Sequence, residues 1–294
     1  MKMSGLKSES LLLTSAVIWG FAFVAQRAGM EHVGPYIFNG IRFGLGALAL
    51  LPFTLRSLRK GAPAGGRKVF VVGAIAGAIL FFGASLQQTG LVYTTAGKAG
   101  FITGLYVVLV PILGLPIGVK TGLGTWLGIL LAAVGLYLLS FTGGFSISPG
   151  DLMVLGGTFF WASHVLLIGA MTSRFNALVL ATVQFCTCSL LSLAAAALFE
   201  PVTMSGIRGA AIPILYGGFL SVGIAYTLQV FAQRNTPPSH AAIILGLETV
   251  FAALGGWVVL DEVIPPRGLV GCAFILAGIV LSQSFVKTGK PAAA

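Results

Sequence analysis

Apolar runs of about 20 residues, each closed by a short polar break, recur from one end of the chain to the other. A membrane-crossing helix needs about 20 mostly apolar residues. The breaks therefore predict ten spans, at 9–28, 33–56, 67–90, 94–118, 122–141, 151–172, 176–198, 208–232, 238–259 and 266–286. No stretch is left over for a soluble domain. Within the fourth span, Pro111 and Pro116 are expected to bend or end the helix, since proline removes a helical donor. Glycines four apart (Gly40/Gly44, Gly73/Gly77, Gly100/Gly104, Gly114/Gly118 and Gly124/Gly128) predict faces where helix backbones approach closely.

Composition agrees with the pattern. Of 294 residues 57% are hydrophobic and 8% charged, and mean hydropathy is +1.00. A soluble surface needs roughly 25% charged residues, so the chain reads as an all-α polytopic membrane protein. The net charge of +10 would fit nucleic acid in a soluble domain. Here the basic residues stand between apolar runs, where they act as a topology signal and meet lipid head groups. With the N-terminus inside, twelve of the seventeen lysines and arginines fall on the cytoplasmic side: Lys2, Lys7, Arg56, Arg59, Lys60, Arg67, Lys68, Lys120, Arg174, Arg234, Lys287 and Lys290. Arg27, Arg208 and Arg267 fall outside, and Arg42 and Lys98 lie within spans. Both termini are thus expected in the cytoplasm, with the first apolar run a permanent span. Cys186, Cys188 and Cys272 sit in apolar runs and imply neither a disulfide nor a metal site.

The pattern also repeats. Leu86–Gly114 aligns without a gap on Leu228–Gly256 at an offset of 228 − 86 = 142, pairing Gln87 with Gln229, Thr94 with Thr236, Gly104 with Gly246 and Gly114 with Gly256. Trp19 meets Trp161 and Phe43 meets Phe185 at the same offset. The expected units are 1–145 and 146–294, five spans each. An odd number of spans makes the second unit enter the membrane from the opposite side, giving an inverted repeat about an axis in the membrane plane. Equivalents such as Lys98 and His240 then sit near opposite faces. Such a repeat suits a pore that opens alternately to either side.

Ten spans in two halves, the Trp19-Gly20 dipeptide, Arg42 in the second span, and Glu248 followed by Asp261-Glu262 resemble the EamA-type branch of the drug/metabolite transporter superfamily. The resemblance covers nearly the whole chain. It implies export of amino acids, other metabolites or toxic compounds across the bacterial cytoplasmic (inner) membrane. The aromatic-rich spans look closest to the amino-acid exporters, those for aromatic amino acids included. Family members often begin both the fourth and ninth spans with prolines; here Pro237-Pro238 does so, while the first half has Thr94-Thr95-Ala96.

Polar residues inside spans mark candidate chemistry, because a charge in the bilayer core is expensive unless protein or water surrounds it. Glu248, about ten residues into the ninth span, can take up a proton, meet a substrate ammonium or bond a neighbouring helix; its first-half equivalent is Tyr106. Arg42, whose equivalent is Gln184, can hold a carboxylate by a bidentate pair or brace backbone carbonyls. Lys98 is placed to line an outward vestibule. Trp19 and Trp161, with Phe23 and His164 on their respective faces, predict the walls of a cavity for an apolar or aromatic group, to which Phe101 belongs as a further aromatic. Asn39, Gln87, Tyr93, Tyr226 and Gln229 supply neutral hydrogen-bond partners. His164 and His240 are either titrating groups or packed, hydrogen-bonded residues, and His32 is expected in an outer loop.

Gly90–Ala99, GLVYTTAGKA, has neither the spacing nor the Ser/Thr of a phosphate loop. No cofactor or metal is expected, and no nucleic acid. The resulting expectation is a monomeric or homodimeric secondary transporter in the lipid bilayer, exporting neutral or aromatic amino acids by alternating access, driven by the substrate gradient or by proton exchange. A proton-coupled exporter of drugs or organic cations is the alternative. An intramembrane enzyme or receptor is the reading outside transport.

Overall fold

The computed structural model describes residues 5–59, 61, 65–140, 148–263 and 266–284. Every regular element among them is helical. The chain runs through α1 (Gly5–Gly29), α2 (Pro35–Arg59), α3 (Lys68–Leu91), α4 (Ala96–Gly104), α5 (Tyr106–Gly114), α6 (Leu123–Ser140) and α7 (Pro149–Met171). It continues through α8 (Ala177–Phe199), α9 (Met204–Gly209), α10 (Ala211–Leu215), α11 (Thr227–Ala232), α12 (Pro238–Leu245), α13 (Glu248–Leu260) and α14 (Pro266–Ser284). Eight helical segments are long and apolar enough to cross a bilayer: α1, α2, α3, Ala96–Ile117, α7, α8, Ala211–Ala232 and Pro238–Leu260. The apolar helices Leu123–Leu138 and Pro266–Ser282, at the predicted fifth and tenth spans, are shorter. Lys2, Lys60, Lys287 and Lys290, the 145/146 boundary and the end of the tenth predicted span lie outside the described residues.

Side chains at the helix starts explain several boundaries. Ser148 and Asp151 form a reciprocal capping box on α7 with Pro149 in its first turn, Asn176 caps α8 through Leu178 and Val179, and Thr95 caps α4 through the Lys98 amide. Each satisfies backbone N–H groups that the first turn leaves without helical acceptors.

Three predicted spans are not single helices. The fourth breaks at Leu105, where the Leu105 amide bonds back to Ile102, three residues away. Of the two prolines expected to bend or end this span, Pro111 is inside α5, and Pro116 lies in the 3-10 turn Leu115–Ile117 that closes it. The ninth breaks at Gly246-Leu247, the repeat-equivalent place. The eighth was expected from 208; α9 is a separate short helix, and Ala211–Ala232 contains eleven π-helical residues, Tyr216–Tyr226. A π-helix displaces the i→i−4 bonding and turns carbonyls toward other partners.

Close packing explains most of the paired glycines. A Cβ at Gly40 or Gly44 would press on Leu193 or Ser189 of α8, and one at Gly77 would lie 2.5 Å from the Gln184 carbonyl. Gly118 serves a different purpose: its φ of +80° ends the turn after α5. The helices cross so that α2 packs on α8, α3 on α7 and α8, α1 on α13, and α6 on α14. Exposed Leu190, Leu198, Phe199, Ile212 and Val280 point away from the bundle, as lipid-facing residues do.

Contacts also establish which ends coincide. Gln88 Nε2 donates to the Gln26 carbonyl at 3.1 Å, placing the ends of α1 and α3 together, and the Gly90 carbonyl abuts Gly150 at the start of α7. Asn176 at the start of α8 donates to Ser57 near the end of α2, at the opposite end.

Candidate substrate cavity

Both helix breaks open onto one central cavity. Its walls are Trp19, Phe23 and Gln26 of α1, Arg42 of α2, Gln87 of α3, Thr103 and Tyr106 at the α4–α5 break, and Trp161, His164 and Val165 of α7. The π-helix contributes Ser221 and Tyr226, α11 contributes Gln229, and the α12–α13 break contributes Leu245 and Glu248. The space between these walls, including what opens to solvent, is about 500 Å³.

Gly20 sets one wall. A Cβ there would fall 2.2 Å from Phe251 Cβ and 2.8 Å from the Glu248 carbonyl, so only glycine lets α1 lie against the start of α13. Trp19 and Glu248 are thereby brought into the same cavity. Gly20→Ala is expected to cost about 1–3 kcal/mol through overpacking. It should appear as a lowered unfolding temperature of the detergent-solubilised protein, and an unchanged temperature would contradict this packing.

The aromatic walls are oriented by hydrogen bonds. Trp161 Nε1 donates to Gln87 Oε1 at 2.8 Å, and Thr103 Oγ1 donates to the same oxygen at 3.3 Å. Gln87 Nε2 in turn donates to Gln26 Oε1 at 3.1 Å. Trp19 Nε1 donates to the Ser221 carbonyl, 3.1 Å, in the π-helical stretch. Tyr226 sits between the indoles, 4.6 Å from Trp19 and 6.3 Å from Trp161 by ring centroids. His164 meets Tyr226 edge-on and its Nε2 pairs with Gln184 Oε1 at 3.1 Å. Gln87→Leu would release Trp161 and is expected to weaken ligand binding about tenfold, the scale of one or two lost hydrogen bonds; equilibrium binding to the variant checks this.

The charged residues are placed differently from one another. Arg42 is buried, donates from Nε to Asn39 Oδ1 at 3.0 Å, and has its guanidinium over Phe38 and Phe43. The structure shows no bond from Arg42 to a backbone carbonyl among the described residues, so the bracing role read from the sequence is not what is seen. Gly217 leaves room for it, since a Cβ there would lie 3.1 Å from Arg42 Cδ. Glu248 is the first residue of α13, buried, with Tyr106 beside its carboxyl group. The Tyr106 hydroxyl and Gln229 Oε1 are buried without a well-formed hydrogen bond. Neither Arg42 nor Glu248 takes part in an ion pair among the described residues.

Nine of the thirteen residues singled out in the sequence line the cavity, and four do not. Asn39 stands behind Arg42 as its acceptor. Phe101 packs into the apolar core. Tyr93 is 62% exposed, because its backbone packs on Gly150 and its ring is left outside. Lys98 does not reach the cavity: its Nζ donates to Asp151 Oδ2 at 2.6 Å. Gln26, Thr103, Val165, Ser221 and Leu245 were not singled out beforehand. Nothing in their residue types sets them apart from ordinary span residues, and Ser221 enters through a π-helix that only its neighbouring glycines hint at.

Comparison with known proteins gives this cavity a context. A crystal structure of a protein 19% identical to the chain has the same fold, with a TM-score of 0.76 and coverage of 94% of this chain and 96% of that one. An uncharacterized transporter of Archaeoglobus fulgidus is 33% identical over 278 residues, 90% of this chain and 82% of the relative. The uncharacterized inner membrane transporter YedA of Escherichia coli K12 is 25% identical over 279 residues, 90% of this chain and 87% of its own length. A sequence model of the EamA-like transporter family matches twice, over residues 6–141 and 148–283, the two matches lying 148 − 6 = 142 residues apart. With both matches and the long archaeal similarity taken together, the chain is a multi-pass membrane protein that belongs to the EamA-like transporter family.

Proposed function

We propose that this transporter is a secondary exporter of small zwitterions, neutral amino acids with apolar or aromatic side chains being the best substrates. The observation that carries the reading is that a guanidinium, Arg42, and a carboxyl group, Glu248, neither in an ion pair among the described residues, line one aromatic-walled cavity. A buried charge without a partner is costly. A bound amino acid offers both groups a partner: its carboxylate meets the guanidinium, its ammonium meets the Glu248 carboxyl group, and its side chain lies among Trp19, Trp161 and Tyr226. Gln229 Oε1 has hydrogen-bonding capacity left for the same ligand.

Alternating access rests on the inverted repeat, which the 142-residue spacing of the family matches and the equivalent breaks in the fourth and ninth spans support. In this reading α6 and α14 complete ten spans, each unit holds five, and both termini face the cytoplasm of a cell whose inner membrane holds the protein. Export follows from the resemblance to amino-acid exporters.

The test is a thermal-shift screen of purified protein, since a ligand bound to the folded state stabilises it. Tryptophan, phenylalanine and leucine are expected to raise the unfolding temperature more than tryptamine or indole-3-propionate, each of which lacks one charge. Labelled tryptophan should then exchange across proteoliposomes, with the exchange abolished by Trp161→Ala. Equal stabilisation by the amine alone, or no exchange of any amino acid tried, would remove this substrate class.

A further inference from the structure

Two acid–base pairs bind opposite ends of the bundle, and the internal repeat relates them. At one end Lys98 Nζ at the start of α4 donates to Asp151 Oδ2 in the first turn of α7, 2.6 Å away, while Thr94 Oγ1 donates to Asp151 Oδ1 at 2.9 Å. At the other, His240 Nε2 at the start of α12 lies 3.3 Å from Glu9 Oε1 of α1, and His240 Nδ1 lies 3.4 Å from Ser282 Oγ of α14. Glu9 and Asp151 are 142 residues apart, and so are Lys98 and His240. Both pairs are partly desolvated: Asp151 is 5% exposed by side chain, and His240 4%.

A second tie accompanies each pair. The Glu262 carboxylate, just past α13, accepts from the Ala96 and Gly97 amides at 3.2 Å each, fastening the start of α4. Thr121, just past the fourth span, shares a 3.0 Å hydrogen bond with Ser239 at the start of α12. Each broken helix is thus held at its starting end by an acid of a neighbouring helix and by the segment that follows the other broken helix. The breaks themselves open onto the cavity, so releasing a starting end frees the half-helix between cavity and solvent.

We propose that Lys98–Asp151 and Glu9–His240 are the two gate latches of the transporter, each closing one end of the cavity, so that breaking one admits solvent from its own side only. The inference rests on the transport reading of the cavity, but its test needs no substrate. The four residues are positioning residues that touch no ligand in the cavity.

The experiment places a reporter cysteine in the cavity wall by Val165→Cys, with the free Cys186, Cys188 and Cys272 replaced by alanine. A membrane-impermeant thiol reagent is applied separately to right-side-out and inverted vesicles. Asp151→Asn and Lys98→Met should speed labelling about tenfold from the Lys98 end, the scale of a partly desolvated ion pair, with no change from the other end. Glu9→Gln and His240→Gln should do the reverse. Lys98→Arg, which keeps the cation and leaves the Asp151 cap of α7 in place, should label as slowly as the unaltered protein, and unchanged labelling from the opposite end shows that the single variants are not simply misfolded. Faster labelling from both ends, from neither, or equally fast labelling in Lys98→Arg would overturn the latches. Amino-acid binding could still hold in that case, and sided labelling could hold if no amino acid bound.

Discussion

Arg42→Gln is expected to weaken binding of a neutral amino acid at least about 30-fold. Removing one partner of a buried, hydrogen-bonded charge pair costs at least about 2 kcal/mol, and each 1.4 kcal/mol is about tenfold. The loss should be selective. Tryptamine, which has no carboxylate for the guanidinium to meet, should bind the variant as well as it binds the unaltered protein, or better, because a like charge has left the cavity. Isothermal titration with tryptophan and tryptamine reads both outcomes. If tryptophan binds equally to both proteins, Arg42 is a packed cation held by Asn39, Phe38 and Phe43, and the zwitterion reading fails.

Glu248→Gln is the mirror experiment and is expected to be as large. Glutamine keeps the volume beside Tyr106 but cannot become the carboxylate that an ammonium would meet. Tryptophan and tryptamine should both lose at least about 30-fold, while indole-3-propionate should be indifferent or gain. Together the variants separate two substrate classes. An exporter of organic cations would depend on Glu248 and be helped by Arg42→Gln, whereas a zwitterion exporter depends on both. Retained tryptophan affinity in Glu248→Gln would show that the carboxyl group serves the α12–α13 break and not the ligand.

Much of the candidate site was legible because charge and large aromatics stand out in an apolar chain. Arg42 and Glu248 interrupt runs that transfer energetics would keep apolar, and Trp19 and Trp161 stand at the same place in both halves. Neutral polar residues carry no such contrast. Thr103, Gln26 and Ser221 look like the other serines, threonines and glutamines that bond within helices, as Thr14 and Ser163 do. The partner of Lys98 is hidden in the sequence for a specific reason. Asp151 stands at a helix start, where a carboxylate needs no explanation beyond capping, and the ion pair joins residues brought together only when α3 and α7 pack antiparallel. Proline is the visible helix breaker, so the sequence points to Pro111 and Pro116, and of these Pro116 does close the fourth span. The actual break at Leu105 has no comparable mark beyond a Gly-Leu dipeptide shared by the repeats, Gly104-Leu105 and Gly246-Leu247.

The sequence by itself determined that this chain is a helical membrane protein, where most of its apolar segments begin and end, and that its motifs recur 142 residues apart. Those properties add up along the chain, since each residue's preference for lipid and its place in a repeat depend little on distant partners. Which polar groups meet was decided only by tertiary structure. Arg42 and Glu248 stand about 200 residues apart, and only helix packing sets them around one cavity and leaves Lys98 and His240 paired at opposite ends of it.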